Sequence, residues 1–258
     1  MSIILKENEY AEQLLTFHEI SGKPFETFRL VSRYYFDKGF TTKEVRKRLE
    51  EFILQCDPKY NLVKKSGYLD NVISSASKRN AVNIDCINIT DAEMSKIGSL
   101  ETSQIKRLAF TLLCLSKYWY EIKPDGDYWV NNKDTEIMAM ANINTSIKRQ
   151  SLMYWTLREA GMVQFSKKVD NTNVKVRFVE DGKIILHITD FRNLGYQYLM
   201  YHGEPYFECT NCGITTKISN PKNNRKPKYC AECATKIYMQ QTINSVMRQR
   251  ETKKDKNV

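Results

Sequence analysis

The sequence predicts a mainly α chain with a small β component, laid out as three successive blocks. Apolar residues recur at helical spacing through residues 1–98, which therefore read as all-helical. Within 99–203 the apolar period changes from 3.6 to 2 after Gly161, so strands follow helices there. Residues 204–258 hold four cysteines in two close pairs, ahead of one last helix. A chain of 258 residues suffices for two or three such units.

The first block reads as a helical bundle. Pro24 stands at a helix start and Gly39 at its end, with Phe25, Phe28, Val31, Tyr35 and Phe36 sharing a face. Thr41 and Glu44 have the spacing of a capping box for the next helix, whose stripe is Val45, Leu49, Phe52 and Ile53. Pro58 stops it. A further helix is expected over 68–79, with Leu69, Val72, Ile73 and Ala76 inward. Nothing in this block looks catalytic.

In the middle block, Ile105, Leu108, Ala109, Leu112, Leu115 and Trp119 mark one amphipathic helix. A turn and a short extended piece follow at PDGDYWVN, then a short helix over 133–141. A third helix should begin near Thr145 and end at Gly161, with Ile147, Tyr154, Trp155 and Leu157 facing the core. Val163 and Phe165, a DNTN turn, then Val174, Val176 and Phe178 read as a β-hairpin, and KIILHI as another strand.

That order of elements resembles winged-helix domains over most of residues 99–203; the likeness is one of pattern, with no sequence signature. The resemblance implies that the third helix is a recognition helix and the hairpin a wing. It makes Thr145, Ser146, Lys148 and Arg149 candidate contacts at the helix start, and Lys167, Lys168, Lys175 and Arg177 candidate phosphate contacts on the wing. Winged helices also serve as protein-interaction modules, and exposed basic pairs are commonly only solvated charge.

Cys209, Cys212, Cys230 and Cys233 follow the spacing C-x2-C-x17-C-x2-C. Two residues between paired thiolates let a tight turn present both sulfurs to adjacent corners of a tetrahedron, and two such turns close the shell. Gly213 follows Cys212 where such a turn takes a left-handed residue, and Pro221, Asn223, Asn224 and Pro227 make the intervening loop rich in turns. Four thiolates leave no open position, so the expected cofactor is one structural zinc ion in a zinc ribbon. Seven cysteines, an odd number, argue against a disulfide framework. Cys114 reads as a small buried hydrophobe.

The net charge of +10 is unevenly spread. From Lys217 onward stand eleven Lys or Arg against three acids, so +8 belongs to the last 42 residues. Such a tail attracts polyanions, nucleic acid foremost. Its candidate contacts are Lys222, Arg225, Lys226 and Lys228 in the loop, and Arg248, Arg250, Lys253 and Lys254 on the last helix, whose apolar stripe is Met239, Ile243, Val246 and Met247. The chain shows no P-loop, GxSxG or HExxH motif and no compact acidic cluster, so no enzyme is expected. His187 and His202 are too scattered for a catalytic reading. No apolar run approaches a membrane span, and MSIILKENEY has no signal-peptide features, so the chain reads as cytoplasmic.

The Asn- and Lys-rich composition, with a YCAEC second cysteine pair before a basic helix, resembles DNA-binding proteins of phages and mobile elements in Gram-positive hosts. The resemblance implies a non-catalytic nucleic-acid-binding protein, a replication accessory or a transcription regulator, with duplex DNA as partner. The alternative is an inhibitor that docks on a host nucleoprotein complex such as a CRISPR effector.

Overall fold

The computed structural model describes residues 3–124, 126–166, 173–219 and 227–254, with the backbone alone for 247–254. The chain is mainly helical with small sheets, as its apolar periods predict. It separates into two compact units, Ile3–Cys86 and Ile87–Val258.

The first unit packs α1 (Glu7–Phe17), α2 (Pro24–Asp37), α3 (Thr42–Cys56) and α4 (Ser66–Ala76). Phe28 and Val31 of α2 meet Leu49, Phe52 and Ile53 of α3 and Leu69, Val72 and Ile73 of α4 in one core, with Phe25, Tyr35 and Phe36 around it. The capping box forms: Thr41 N donates to Glu44 Oε2 at 2.8 Å, and Glu44 N to Thr41 Oγ1 at 3.4 Å. Glu7, at the start of α1, is buried and gathers the unit's ends. Its carboxylate accepts from Arg33 at 3.0 Å, from Arg79 at 2.8 Å and from the Val82 amide at 3.0 Å.

The division falls at Cys86–Ile87, twelve residues before the boundary expected at 98. The intervening residues form β1 (Ile87–Thr90) and α5 (Asp91–Gly98), and β1 pairs antiparallel with β5 (Ile184–Ile188). Ile87, Asn88, Ile89 and Thr90 alternate apolar and polar, but a run of four is too short to stand out against the helical spacing on either side. Its partner lies almost a hundred residues away. Thr90 and Glu93 cap α5 with a second capping box. The Glu93 side chain is fully buried and meets Lys117 Nζ at 2.7 Å.

At the centre of the second unit lies α6 (Ser103–Ile122). Its middle is buried nearly all round, from Phe110 to Ser116, where the sequence suggested a single apolar stripe. A later helix and the segment before it cover its other sides: Phe110 meets Tyr198 at 5.5 Å between ring centroids, and Tyr118 meets Phe191, which precedes that helix, at the same distance. Then follow β2 (Trp129–Val130), α7 (Asp134–Met140), α8 (Ile147–Glu159), β3 (Val163–Phe165) and β4 (Val174–Val176). The three strands form an antiparallel sheet in the order β2-β4-β3, so the hairpin's second strand lies in the middle.

Helix α8 is turned differently from the expectation. Met153, Tyr154 and Leu157 are buried, whereas Ile147 is 80% and Trp155 49% exposed. The face that carries Met153, Tyr154 and Leu157 turns inward, and Trp155, about 100° further round the helix from Tyr154, falls outside it. The Tyr154 hydroxyl reaches Asp134 at 3.2 Å.

The chain ends in α9 (Leu194–Tyr201), the hairpin β6 (Tyr206–Glu208) and β7 (Thr215–Lys217), and α10 (Ala231–Lys254). Among the described residues no helix is long and apolar enough to cross a membrane.

Candidate metal centre

The β6–β7 hairpin carries the first cysteine pair in its turn. Cys209 N donates to Ile214 O at 3.0 Å and Gly213 N to Cys209 O at 2.8 Å, closing a tight loop around Cys209 and Cys212. Gly213 has φ +73°, the left-handed conformation that glycine adopts without cost. The second pair straddles the start of α10: Cys230 precedes Ala231, and Cys233 N points at Cys230 Sγ at 3.5 Å. A hydrogen bond from Thr210 N to Lys228 O at 3.0 Å ties the two pairs together.

All four sulfurs lie within 4.8 Å of one another. Cys212 Sγ and Cys230 Sγ are 3.8 Å apart. Zinc–sulfur bonds of about 2.3 Å in a tetrahedron require sulfurs about 3.8 Å apart, and a disulfide would require about 2.05 Å. Cys209 and Cys233 are buried, with Cys212 and Cys230 half-buried.

Charge points the same way. Burial opposes ionisation of Cys209, yet the backbone amides of Cys230, Asn211 and Cys212 outweigh it and bring the thiol down to about 6. Burial, with the neighbouring thiols of Cys233, Cys209 and Cys230, pushes Cys212 up to about 12 despite the Ile214 amide. One thiolate forms readily and the next resists, unless a cation neutralises them. Asn211 Nδ2 adds a donor 3.3 Å from Cys233 Sγ. The donor set, spacing and seclusion fit one structural metal ion, and four thiolates leave no position for a substrate.

The centre is fastened to the rest of its unit. The Arg192 guanidinium holds Asp190 at 2.5 Å and also donates to the Cys212 carbonyl. Asn193 Nδ2 donates to Thr215 O at 3.0 Å, and the Tyr196 and Tyr206 rings lie 4.7 Å apart. Sequence reading missed Arg192, Asn193 and Asn211, because partners that bond to backbone carbonyls or sulfur follow no motif.

The expected nucleic-acid contacts are scattered. Ser146 is the N-cap of α8, its hydroxyl accepting from Arg149 N at 3.4 Å; Thr145 is half-buried, and its carbonyl accepts from Gln150. Lys148 and Arg149 are exposed beside them. On the hairpin, Lys175 is committed to Asp127 at 2.5 Å, and Arg177 is exposed. Lys228 is exposed next to the second cysteine pair. Lys167, Lys168, Lys222, Arg225 and Lys226 lie outside the described residues, and Arg248, Arg250, Lys253 and Lys254 fall on the last turns of α10. His187 is exposed and pairs with Asn88 at 2.7 Å, while Cys114 is fully buried.

No protein family, curated protein or solved structure matches the chain.

Proposed function

We propose that the protein binds nucleic acid, duplex DNA in particular, and that it does so without catalysis, as a replication accessory or transcription regulator of a phage or mobile element. The observation that carries this reading is the junction of Cys230 and Cys233 with α10. The helix begins at Ala231, inside the second ligand pair, and the segment from Lys217 onward holds +8 of the chain's +10 charge. With zinc as the ion, thiolate bonds anchor the base of a cationic helix, so the metal directs a surface that attracts polyanions.

Two further features support it. The succession α6-β2-α7-α8-β3-β4 with sheet order β2-β4-β3 follows the order expected of a winged helix and supports that reading. In that form α8 is the recognition helix, and its N-terminal Lys148 and Arg149 are exposed. The phage or mobile-element origin rests on the three-block layout, the Asn- and Lys-rich composition and the YCAEC cysteine pair before a basic helix.

The test is a mobility shift of the zinc-loaded protein with duplex DNA, single-stranded DNA and RNA across a salt series. Micromolar or tighter binding to duplex, falling steeply with salt, is the expected result. Binding absent at low salt rejects the reading.

One observation favours the second reading, an inhibitor docking on a host nucleoprotein such as a CRISPR effector. The outer face of α8 exposes Ile147, Leu152 and Trp155, which suit a protein surface better than phosphates. Capture of such a complex from nuclease-treated host lysate, together with failure to shift DNA, would replace the first reading by this one.

A further inference from the structure

Two of the chain's three tryptophans line one cleft. Helix α6 ends at Ile122 with Lys123 as its C-cap, and Trp119 stands in its last turn. The Trp119 indole is held in place: Nε1 donates to Asn132 Oδ1 at 2.7 Å, and Asn132 donates in turn to Glu136 at 3.3 Å. The chain then turns back into β2, and the Tyr120 and Tyr128 rings, stacked at 4.6 Å, clamp that turn. Trp129 follows on β2, paired with Lys175 of β4. Between the end of α6 and the three-stranded sheet this leaves a cleft of about 470 Å³, bordered by Trp119, Ile122, Lys123, Asp127, Trp129 and Asn131.

All of these side chains reach the surface. Both indoles are half-buried, and Lys123, Asp127 and Asn131 are exposed. Among the described residues Trp119 has Tyr118 as its ring neighbour, at 5.3 Å, and Trp129 has none. Asp127 is neutralised by Lys175 at 2.5 Å, whereas Lys123 meets no carboxylate among the described residues. The rim therefore carries one uncompensated positive charge beside two aromatic walls. Its volume lies within the range of about 300–1,000 Å³ usual for small-molecule sites.

We propose that this cleft binds a single unpaired nucleotide, with its base against the indoles of Trp119 and Trp129 and its phosphate at Lys123. An indole face offers a flat apolar surface to a flat ring, and only a base outside its own stack can use it. A blunt duplex keeps its bases stacked and paired, so it finds no place here. A cationic ligand, which aromatic faces also attract, is repelled by Lys123. A neutral sugar leaves the lysine unused. Asn131 accepts from Asn173 with its side-chain oxygen, which leaves its amide donors for the acceptors on a base edge. The same chemistry takes a free nucleotide or an unpaired stretch of a strand. The site stands apart from the start of α8 and the basic tail, and it does not rest on duplex binding.

The experiment is a fluorescence titration of the full-length, zinc-loaded protein carrying Trp155→Phe, so that tryptophan emission comes from the cleft alone. The probes are thymidine, thymidine monophosphate, a short oligothymidylate, a blunt duplex and glucose. Thymidine monophosphate and oligothymidylate should quench the emission, and Trp129→Ala should weaken their binding about tenfold or more. Trp129→Phe, which keeps an aromatic face, should restore most of it. Lys123→Gln should weaken the monophosphate about threefold or more and leave thymidine, which has no phosphate, unchanged. Should Trp129→Ala misfold, that contrast at an exposed side chain carries the test. Oligothymidylate that binds more tightly than the monophosphate assigns the cleft to a strand; one that binds no more tightly assigns it to a free nucleotide. The proposal is overturned if no nucleotide quenches, if glucose quenches as well, or if quenching survives both Trp129→Ala and Lys123→Gln. It is equally overturned if Trp129→Ala weakens blunt-duplex binding as much as oligothymidylate binding, since the tryptophans would then belong to a duplex surface.

Discussion

Gly195 packs so closely against Ala141 that a Cβ on it would stand 1.9 Å from the Ala141 carbonyl oxygen and 2.5 Å from its carbon. Both atoms are backbone and cannot swing aside, so the first turn of α9 meets the end of α7 only because residue 195 has no side chain. Asn142 strengthens this junction: its carbonyl accepts from Arg107 at 2.7 Å and its side chain donates to Asn193 at 2.8 Å. Since Asn193 also holds the β6–β7 hairpin, the contact lies on the path from the helical core to the cysteine centre.

Gly195→Ala should therefore destabilise the second unit by about 1–3 kcal/mol, the usual cost of overpacking. Chemical denaturation monitored by circular dichroism measures it. An unchanged midpoint would mean that α9 can withdraw from α7 without penalty.

The metal centre predicts a stoichiometry. Purified protein should hold one zinc per chain by elemental analysis, and Cys230→Ser with Cys233→Ser should hold none. Cys114→Ala should keep its zinc, because Cys114 is buried away from the quartet on α6. Chelation should lower the melting temperature, since the apo form retains four crowded thiols with no cation among them.

In the first unit the prediction concerns Glu7. Arg33 is buried, and burial lowers its pKa, an effect opposed by the Glu7 charge and reinforced by Arg79 and Arg29. Glu7→Ala would leave that guanidinium without its carboxylate, at a cost of about 3–5 kcal/mol. Glu9→Ala, two residues along the exposed side of α1, should change stability by no more than about 0.5 kcal/mol. Equal effects of the two would deny Glu7 its central place.

Ion pairing separates the basic candidates for DNA binding. Lys175 already faces Asp127 at 2.5 Å, whereas Lys148 and Arg149 stand exposed at the start of α8. On the proposed function, Lys148→Glu with Arg149→Glu should weaken duplex binding at least tenfold, with a salt slope shallower by about 2. Lys175→Ala should weaken it less than about twofold, because its charge is largely neutralised already. Fluorescence anisotropy over a salt series measures both.

Much of this architecture was legible from local pattern. The 3.6-residue spacing of Phe28, Val31, Leu49 and Ile53 names the first core, and Thr41 with Glu44 names the cap that starts α3. The change of period after Gly161 marks the β3–β4 hairpin, and Gly161 itself has φ +69°. The orientation of α8 was not legible. Ile147, Tyr154, Trp155 and Leu157 are all apolar or aromatic, and residue type alone cannot say which of two adjacent rings is buried. Asp134, on another helix, helps decide it by giving the Tyr154 hydroxyl a partner.

The sequence by itself determined the cysteine quartet, because two residues between thiols is a constraint of metal geometry that acts within a few bonds. It also determined where the charge lies, since charge is carried by residues whatever their fold. Only the tertiary structure decided where the first unit ends, because the partner of β1 lies almost a hundred residues away in β5. It decided likewise that Lys175 is spent on Asp127 while Lys148 and Arg149 stand exposed. Those outcomes depend on distances between residues remote in the chain, which no local spacing encodes.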